Sequence, residues 1–273
     1  MPGEQTLDKK YARLLTLIAD TGGAAVAFSG GVDSSFLCKA AVDALGGRAI
    51  AVTVVSPMLP ASEIADAEKT ARQIGITHIT IEENEIEDEV AHNAPDRCYH
   101  CKKIEFGSIA RAAKERGITT VLDGSNIDDE GDYRPGLGAL AELGILSPLR
   151  VAGLSKQEIR ELSKRFGLPT WNKPAFACLA SRIPYGETIT REKLARVEKA
   201  EDALREFGFR QFRVRSHGDI ARIEAAPEER KLFFSETALD ALSAKIKQAG
   251  FLYAAFELEG YRMGSMNRVL NKE

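Results

Sequence analysis

Two short stretches of this 273-residue sequence contain residue types at spacings that could do chemistry. The first is S-G-G-V-D-S-S at 29–35, and the second is C-Y-H-C at 98–101. The other cysteines are Cys38 and Cys178. Four cysteines are too few for a disulfide scaffold in a chain of this length, so the C-x-x-C pair indicates metal binding or redox chemistry.

The glycine-rich stretch has the composition of a phosphate-binding loop. Gly30 and Gly31 allow a tight turn whose backbone N–H groups converge on one point. The helix expected after it adds further N–H groups and the positive end of its dipole. No lysine follows at the Walker position, which excludes a loop that transfers a γ-phosphate. The side chains expected to contact phosphate or Mg²⁺ here are Ser29, Asp33, Ser34 and Ser35.

The elements that must position this loop alternate between strand and helix. The pattern predicts helices at 6–20, from the loop to Gly46, and at 61–75, 100–116 and 155–166. The predicted strands are 24–28, 48–56, 76–83 and one that ends within 119–125. Such alternation is typical of βαβ units and a parallel sheet, with ligands at the carboxyl ends of the strands. The sequence therefore predicts an α/β fold that places the glycine loop at a strand end.

The pattern changes near Pro184, and we expect a second, smaller α+β domain after it. A helix is predicted at 190–207, two short strands at 209–216 and 219–225, one helix from Pro227 to Gly250, and a strand at 251–260. The expected domains are therefore 1–186 and 187–273.

Composition excludes several classes of partner. The chain has 37 Lys and Arg against 40 Asp and Glu, a net charge of −3. This balance gives no field for nucleic acid or an anionic membrane. No apolar run is long enough to span a bilayer, and the N-terminus lacks the apolar core of a signal peptide. We expect a soluble, cytoplasmic protein with no nucleic-acid or membrane partner.

The glycine loop S-G-G-x-D-S resembles the PP-loop of the ATP pyrophosphatases. That resemblance implies a doubly wound sheet of the adenine nucleotide α-hydrolase type and ATP cleaved between its α- and β-phosphates. Four further motifs resemble the LarE sulfur transferases, in order and over nearly the whole chain. They are D-G-S-N-x-D-D-x-x-D-Y-R-P-G at 123–136, L-S-P-L at 146–149, G-L-P-T-W-N-K-P-A at 167–175 and C-L-A-S-R-I-P-Y-G at 178–186.

The LarE resemblance implies a specific reaction. Members of that family adenylylate the carboxylates of a small anionic pyridinium biscarboxylic acid mononucleotide and convert them into thiocarboxylates for the nickel-pincer cofactor of lactate racemase. The resemblance implies that Cys178 donates sulfur. Arg182, four residues on, is expected to lower the pKa of this thiol or to hold a phosphate or carboxylate of the substrate, and Ser181 of the same motif is expected in the catalytic site. The resemblance also implies a homo-oligomer, a trimer or hexamer. The partner that supplies the sulfur is left undetermined.

The cysteine set leaves the sulfur source open. Cys98, Cys101 and Cys178 fit three ligands of a 4Fe–4S cluster whose open fourth iron carries the transferred hydrosulfide, and we favour this interpretation. The alternative is a sacrificial Cys178 that becomes dehydroalanine. A structural Zn²⁺ with His100 and a Cys98–Cys101 redox pair that restores a persulfide also remain open. Cys38 is expected to be a buried apolar residue.

Further contacts are expected on other segments. Gly124, Asn126 and Lys173 are expected at ATP, and Asp128 or Asp129 at Mg²⁺. Arg134 is a candidate phosphate contact. Arg213 and Arg215 alternate along a strand and so share one face, which suits a phosphate or carboxylate of the substrate, with Glu224 nearby.

Two other functions compete with the LarE reaction. A PP-loop tRNA thiolase shares the chemistry, but the net charge of −3 and the lack of a basic stripe oppose RNA binding. A nucleotide-binding sensor without chemistry would show no substrate-dependent release of pyrophosphate.

Overall fold

The computed structural model describes residues 6–131, 136–174, 177–262 and 265–266. Arg134 lies outside the described residues. The chain divides into two compact units. The first comprises Met1–Ser56, Ala61–Asn84 and Cys98–Phe176, and the second comprises Pro57–Pro60, Glu85–Arg97 and Ala177–Glu273. The domain boundary expected at residue 186 stays a prediction.

The first unit contains a parallel sheet, as the strand and helix alternation predicts. Its described strands are β1 (Ala24–Ala27), β2 (Ala49–Val55), β3 (Thr77–Glu82) and β4 (Thr120–Leu122), in the order β3-β2-β1-β4. Every pairing is parallel. The carboxyl ends of the neighbouring strands β1 and β4 therefore lie side by side, and both lead into polar loops.

Helices cover both faces of this sheet, so the doubly wound α/β architecture is confirmed. One face packs Ala24 and Val26 of β1 against four helices, and the other packs Ala25 against Phe106 and Ile109 of α5. The four helices are α1 (Leu7–Ala19), α2 (Val32–Leu45), α3 (Ala61–Ile74) and α8 (Lys156–Arg165). The helix α5 spans Arg97–Lys114, and two shorter helices of this unit are α6 (Gly136–Glu142) and α7 (Pro148–Val151). The short helix α4 (Asp88–Ala91) belongs to the second unit.

The second unit contains a small mixed sheet. Its strands β5 (Phe212–His217) and β6 (Ile220–Ala225) form an antiparallel hairpin, and β7 (Tyr253–Phe256) pairs in parallel with β6. The parallel pairing requires a crossover, which α10 (Glu236–Gln248) supplies. The helix α9 (Arg191–Glu206) packs its apolar face onto the same core.

One expected element in the second unit is wrong. The single helix predicted from Pro227 to Gly250 is a 3-10 turn at Pro227–Phe233 followed by the separate helix α10. The break falls at Ser235, whose hydroxyl accepts a hydrogen bond from the Ala238 N–H at 3.1 Å and caps α10. Among the described residues, no helix is long and apolar enough to cross a bilayer.

Candidate functional site: a nucleotide cavity and an arginine cavity

The glycine loop joins β1 to α2 and has little freedom to vary. Gly30 has φ of +68°, a conformation that favours glycine. A Cβ at Gly30 would also lie 3.0 Å from the Cβ of Ala67 on α3. The hydroxyls of Ser29 and Ser34 are 3.1 Å apart, so they close the loop on itself. The loop is thus held in one shape by backbone conformation, packing and a hydrogen bond.

A second loop follows β4 and lies against the first. A Cβ at Gly124 would be 3.2 Å from the backbone nitrogen of Ser34, so any side chain there would push the two loops apart by a few tenths of an ångström. The carboxylate of Asp123 is buried and accepts hydrogen bonds from the hydroxyls of Ser125 and Ser147, both at 2.5 Å. These bonds fix the carboxyl end of β4.

A cavity of about 460 Å³ opens between these two loops and α5. Its size suits a nucleotide. The residues of the two loops that line it are Ser29, Gly31, Asp33, Ser34, Asp123, Gly124 and Ser125, and those of α5 are Cys98, Lys102, Glu105 and Phe106. This cavity lies entirely within the first unit.

Asp33 is the carboxylate of the glycine loop that suits a metal ion. One of its oxygens pairs with the ammonium of Lys156, the first residue of α8. The other oxygen, Oδ1, is buried and has no hydrogen-bond partner within the described part of the chain. Burial raises the pKa of Asp33 above its usual range, and Lys156 opposes that rise. An orphaned carboxylate oxygen facing a phosphate site is the kind of ligand that Mg²⁺ takes there.

Four residues expected at the nucleotide do not line its cavity. The Asp128 carboxylate accepts a hydrogen bond from the Lys156 N–H at 2.8 Å and so caps α8. Lys173 pairs with Glu63 at 2.9 Å and Asp66 at 3.0 Å on α3. Ser35 is fully buried within α2. Their contacts with ATP or Mg²⁺ stay predictions, and the same holds for Asn126, whose side chain accepts a hydrogen bond from the Asp128 N–H at 3.0 Å.

Lys102 lines the cavity, and the sequence reasoning missed it. Its ammonium is 3.5 Å from the Glu105 carboxylate and 4.7 Å from the centre of the Phe106 ring. Its partial burial opposes its charge, but the carboxylates of Glu105 and Asp123 outweigh this effect and raise its pKa. Lys102 therefore stays cationic. The available signal was its position four residues after Cys98, on the same face of a helix.

The C-x-x-C pair occupies the start of α5, because this helix begins at Arg97 rather than at residue 100 as expected. Cys98 is exposed and lines the nucleotide cavity, and Cys101 is partly exposed. Residues three apart share a helix face, so the pair fits two ligands of one metal centre. Among the described residues, no three His, Cys, Asp or Glu side chains are grouped as metal ligands.

In the second unit, the backbone of Cys178 is tied down at the start of a 3-10 turn. Its carbonyl oxygen accepts hydrogen bonds from the Ser181 N–H at 3.0 Å, the Ser181 hydroxyl at 2.8 Å and the guanidinium of Arg182 at 2.9 Å. The thiol itself is partly exposed. Ser181 and Arg182 therefore fix the backbone that carries this thiol.

Arg182 is fully buried, and its guanidinium bonds a carboxylate and two backbone carbonyls. Its Nε and Nη2 each donate to a carboxylate oxygen of Glu201 on α9 at 2.9 Å. The Nη1 group bonds the carbonyls of Ala177 and Cys178. This geometry gives Arg182 a positioning role, and its contact with the thiol or the substrate stays a prediction.

Arg213 and Arg215 line a separate cavity of about 140 Å³ in the second unit. Arg215 donates to the Ser181 carbonyl at 3.0 Å and to Glu224 at 2.8 Å. The guanidinium of Arg213 is 5.0 Å from the centre of the Tyr261 ring. Burial lowers the pKa of Arg213, and the charge of Arg182 lowers it further. A buried guanidinium that lies near other positive charges is stabilised by an anion, so this position favours anion binding.

Arg97 also lines this second cavity and was missed by the sequence reasoning. It is buried and donates to the side-chain oxygen of Asn93 and, at 3.3 Å, to the Ala180 carbonyl. Asn93 has φ of +55° and is itself held by the Pro184 carbonyl at 2.7 Å. No local pattern in the sequence links Arg97 to the arginines of β5, because they are more than a hundred residues away.

Comparison with known proteins identifies the family. The asparagine synthase family matches residues 19–128. An uncharacterized protein of Synechocystis is 44% identical over 267 residues, 97% of this chain and all of that protein. The pyridinium-3,5-bisthiocarboxylic acid mononucleotide synthase of Lactiplantibacillus plantarum is 39% identical over 272 residues, 98% of this chain and 97% of that enzyme. The chain belongs to the LarE family. 

LarE proteins are sulfur-transferring synthases of the PP-loop ATP pyrophosphatase superfamily, and this chain is an enzyme of that class. Part of the chain is also similar to a tRNA thiolase. The tRNA-specific 2-thiouridylase MnmA of Pelobacter propionicus is 30% identical over 183 residues, which cover 55% of this LarE-family chain and 51% of the thiouridylase.

Proposed function

We propose that this LarE-family enzyme uses ATP to convert carboxylates of a pyridinium biscarboxylic acid mononucleotide into thiocarboxylates, as a step toward the nickel-pincer cofactor of lactate racemase. The observation that carries the proposal is the near full-length similarity to the Lactiplantibacillus synthase. Two features of the structure support it. The first unit has a nucleotide cavity, and the second has an arginine cavity beside the loop of Cys178.

The first step activates the carboxylate. A carboxylate oxygen of the substrate attacks the α-phosphorus of ATP, and pyrophosphate leaves with its electron pair. The backbone N–H groups of the glycine loop and the start of α2 hold the departing phosphates. Mg²⁺, bound through the orphaned oxygen of Asp33, would neutralise charge on them.

The arginine cavity is proposed to hold an anionic group of the substrate. Arg213 and Arg215 present guanidinium groups that match the oxygens of a phosphate or carboxylate. The cavity of about 140 Å³ is smaller than ordinary ligand pockets, so it suits one such group rather than the whole mononucleotide. Glu224 is fully buried and orients Arg215 through their 2.8 Å bond.

The second step delivers sulfur. A sulfur nucleophile attacks the carbonyl carbon of the acyl adenylate, and AMP leaves. In the sacrificial version, the nucleophile is the Cys178 thiolate and a thioester forms. Removal of the Cys178 α-proton then breaks the Cβ–S bond, leaving a thiocarboxylate on the substrate and dehydroalanine in the chain. No external oxidant or reductant is needed.

The version that we favour spares the cysteines. Cys98 and Cys101 fit two ligands of a 4Fe–4S cluster, and Cys178 would provide the third. When bound, such a cluster would hold on its open iron a hydrosulfide taken up from external sulfide, which is the sulfur transferred. Iron and sulfide analysis after anaerobic purification tests this: about four iron per chain is expected. Full activity in colourless, iron-free protein would overturn it.

One assay tests the reaction as a whole. Release of pyrophosphate from ATP is measured with and without the pyridinium substrate, for the wild type and for Arg213→Met. Wild-type release that depends on the substrate is expected, with a raised KM for the substrate in the variant. Release that depends on added tRNA instead would favour a tRNA thiolase, and release without any acceptor would contradict both.

We also propose that the enzyme acts in the cytoplasm and, on the basis of the family resemblance, that it forms a homo-oligomer, a trimer or hexamer. Light scattering of the purified protein measures the mass directly. A monomer at micromolar concentration would contradict the oligomer.

A further inference from the structure

The nucleotide cavity of the first unit has an unusual charge distribution for a site that takes a polyanion. The charged side chains that line it in the described part of the chain are the carboxylates of Asp33, Glu105, Asp123 and Asp129 and the ammonium of Lys102. An acidic wall repels the triphosphate of ATP, so binding requires cations. Mg²⁺ is one, and the wall itself contributes Lys102.

The stem of Lys102 is held in the cavity wall. A Cβ at Gly136, the first residue of α6, would lie 3.0 Å from the Lys102 Cγ, so the two helices approach closely there. The ammonium lies over the Phe106 ring at 4.7 Å. These contacts restrict the side chain, which lowers the entropy lost when a ligand binds.

The present partner of this ammonium is weak. The Glu105 carboxylate is 3.5 Å away, and both side chains are at least one-third exposed. Exposed ion pairs at such distances contribute little to stability. A phosphate oxygen carries more charge and forms a shorter, charge-assisted bond, so it displaces Glu105 at little cost.

We infer that Lys102 is a phosphate-binding residue of the nucleotide cavity, where it exchanges Glu105 for an oxygen of the phosphate chain. The inference rests on the proposed function, which makes this cavity the ATP site.

The next residue of α5 provides a matched control. Lys103 carries the same charge, one position along the helix and therefore about 100° around it. Its ammonium is 3.1 Å from Glu142 and 3.3 Å from the hydroxyl of Tyr99, and it does not line the cavity. Loss of charge at Lys103 changes the net charge of the protein equally but leaves the cavity unchanged.

The test measures binding of α,β-methylene-ATP, which the enzyme cannot cleave between the α- and β-phosphates, by calorimetry in the presence of Mg²⁺. Lys102→Met is expected to weaken binding about tenfold to a hundredfold, the range of a charged hydrogen bond. Lys103→Met is expected to leave the affinity unchanged, and Lys102→Arg to restore most of it. Binding of adenosine, which has no phosphate, is expected to be the same in all four proteins.

The outcomes separate this inference from the function beneath it. Wild-type protein that binds no α,β-methylene-ATP would overturn the ATP site and the inference together. Wild-type binding with equal affinity in Lys102→Met would overturn the role of Lys102 alone. Equal weakening of adenosine and nucleotide in Lys102→Met would assign Lys102 to the structure of the cavity and not to phosphate, which also overturns the inference.

Discussion

Replacement of Glu201 by glutamine tests the positioning role assigned to Arg182. Both oxygens of Glu201 accept from Arg182 at 2.9 Å, and one also accepts from the Val214 N–H at 3.0 Å. The pair is almost completely buried, with 0% and 4% of the two side chains exposed. Glu201→Gln keeps the shape of the side chain and leaves the guanidinium in the core without its counter-charge.

The expected cost is large. Removing one partner of a buried ion pair destabilises a protein by about 3–5 kcal/mol, since the remaining charge is neither paired nor hydrated. That is a substantial fraction of the roughly 5–15 kcal/mol that stabilises a typical protein. The double variant Arg182→Met/Glu201→Met removes both charges. It is expected to cost only about 1–3 kcal/mol, the penalty for the buried Val214 N–H that loses its acceptor. The Cys178 carbonyl keeps its bonds from Ser181, and Ala177 is exposed to water.

Urea unfolding provides the free energies, and sulfur transfer is measured on the same proteins below the unfolding range. The control is Arg205→Ala on the same helix, whose exposed pair with Asp202 is expected to contribute under about 1 kcal/mol. The double variant is expected to stay folded and yet transfer sulfur more slowly, because Arg182 no longer holds the Cys178 carbonyl. A loss below about 1 kcal/mol in Glu201→Gln would refute the argument about burial. Wild-type sulfur transfer in the double variant would refute the positioning role.

Three further predictions concern Cys178, Gly30 and Asp33. Cys178→Ala is expected to abolish thiocarboxylate formation in an end-point assay while calorimetric binding of α,β-methylene-ATP is unchanged; sulfur transfer at the wild-type level would show that the donor is misassigned. Gly30→Ala is expected to weaken that nucleotide binding at least tenfold, because φ is +68° and the added methyl meets Ala67 at 3.0 Å, and unchanged binding would contradict the rigidity of the loop. Burial raises the pKa of Asp33, so its ionised form lowers stability as the pH rises through that raised pKa. Asp33→Asn is therefore expected to have a higher free energy of unfolding than the wild type at pH 7 and to lose this advantage below the ordinary carboxyl pKa of about 4. The variant is also expected to bind Mg²⁺-nucleotide more weakly. A variant less stable than the wild type at pH 7 would contradict the direction of the pKa shift.

Local patterns predicted the first unit well. The alternation of strand and helix patterns indicated a parallel sheet built from βαβ units, and helices do cover both of its faces. The glycine loop was also predicted, because its glycines and the start of the following helix are adjacent in sequence. The break at Ser235 was not predicted, because the residues on both sides of Ser235 have helical periodicity. The structure shows that the Ser235 hydroxyl caps a new helix through its bond from the Ala238 N–H.

The sequence did not predict the partners of charged side chains. Lys173 was expected at ATP but pairs with Glu63, a residue 110 positions away, and Arg182 was expected to face the substrate but pairs with Glu201 in the core. A charge in a motif shows that a partner is needed, whereas tertiary packing decides which one. Lys102 was not predicted, because the sequence alone does not show that Lys102, and not the neighbouring Lys103, lines the nucleotide cavity.

The central claim is that this enzyme replaces carboxylate oxygen with sulfur in an ATP-dependent reaction. Mass spectrometry of the pyridinium mononucleotide after incubation with enzyme, ATP and Mg²⁺ tests it most directly, with the Cys178 peptide analysed in the same sample. The account predicts a product in which sulfur has replaced oxygen only when ATP is present, and a Cys178 peptide of unchanged mass if the cluster supplies the sulfur. A peptide that has lost the elements of H₂S would support the sacrificial version. A substrate of unchanged mass beside hydrolysed ATP would contradict the claim itself.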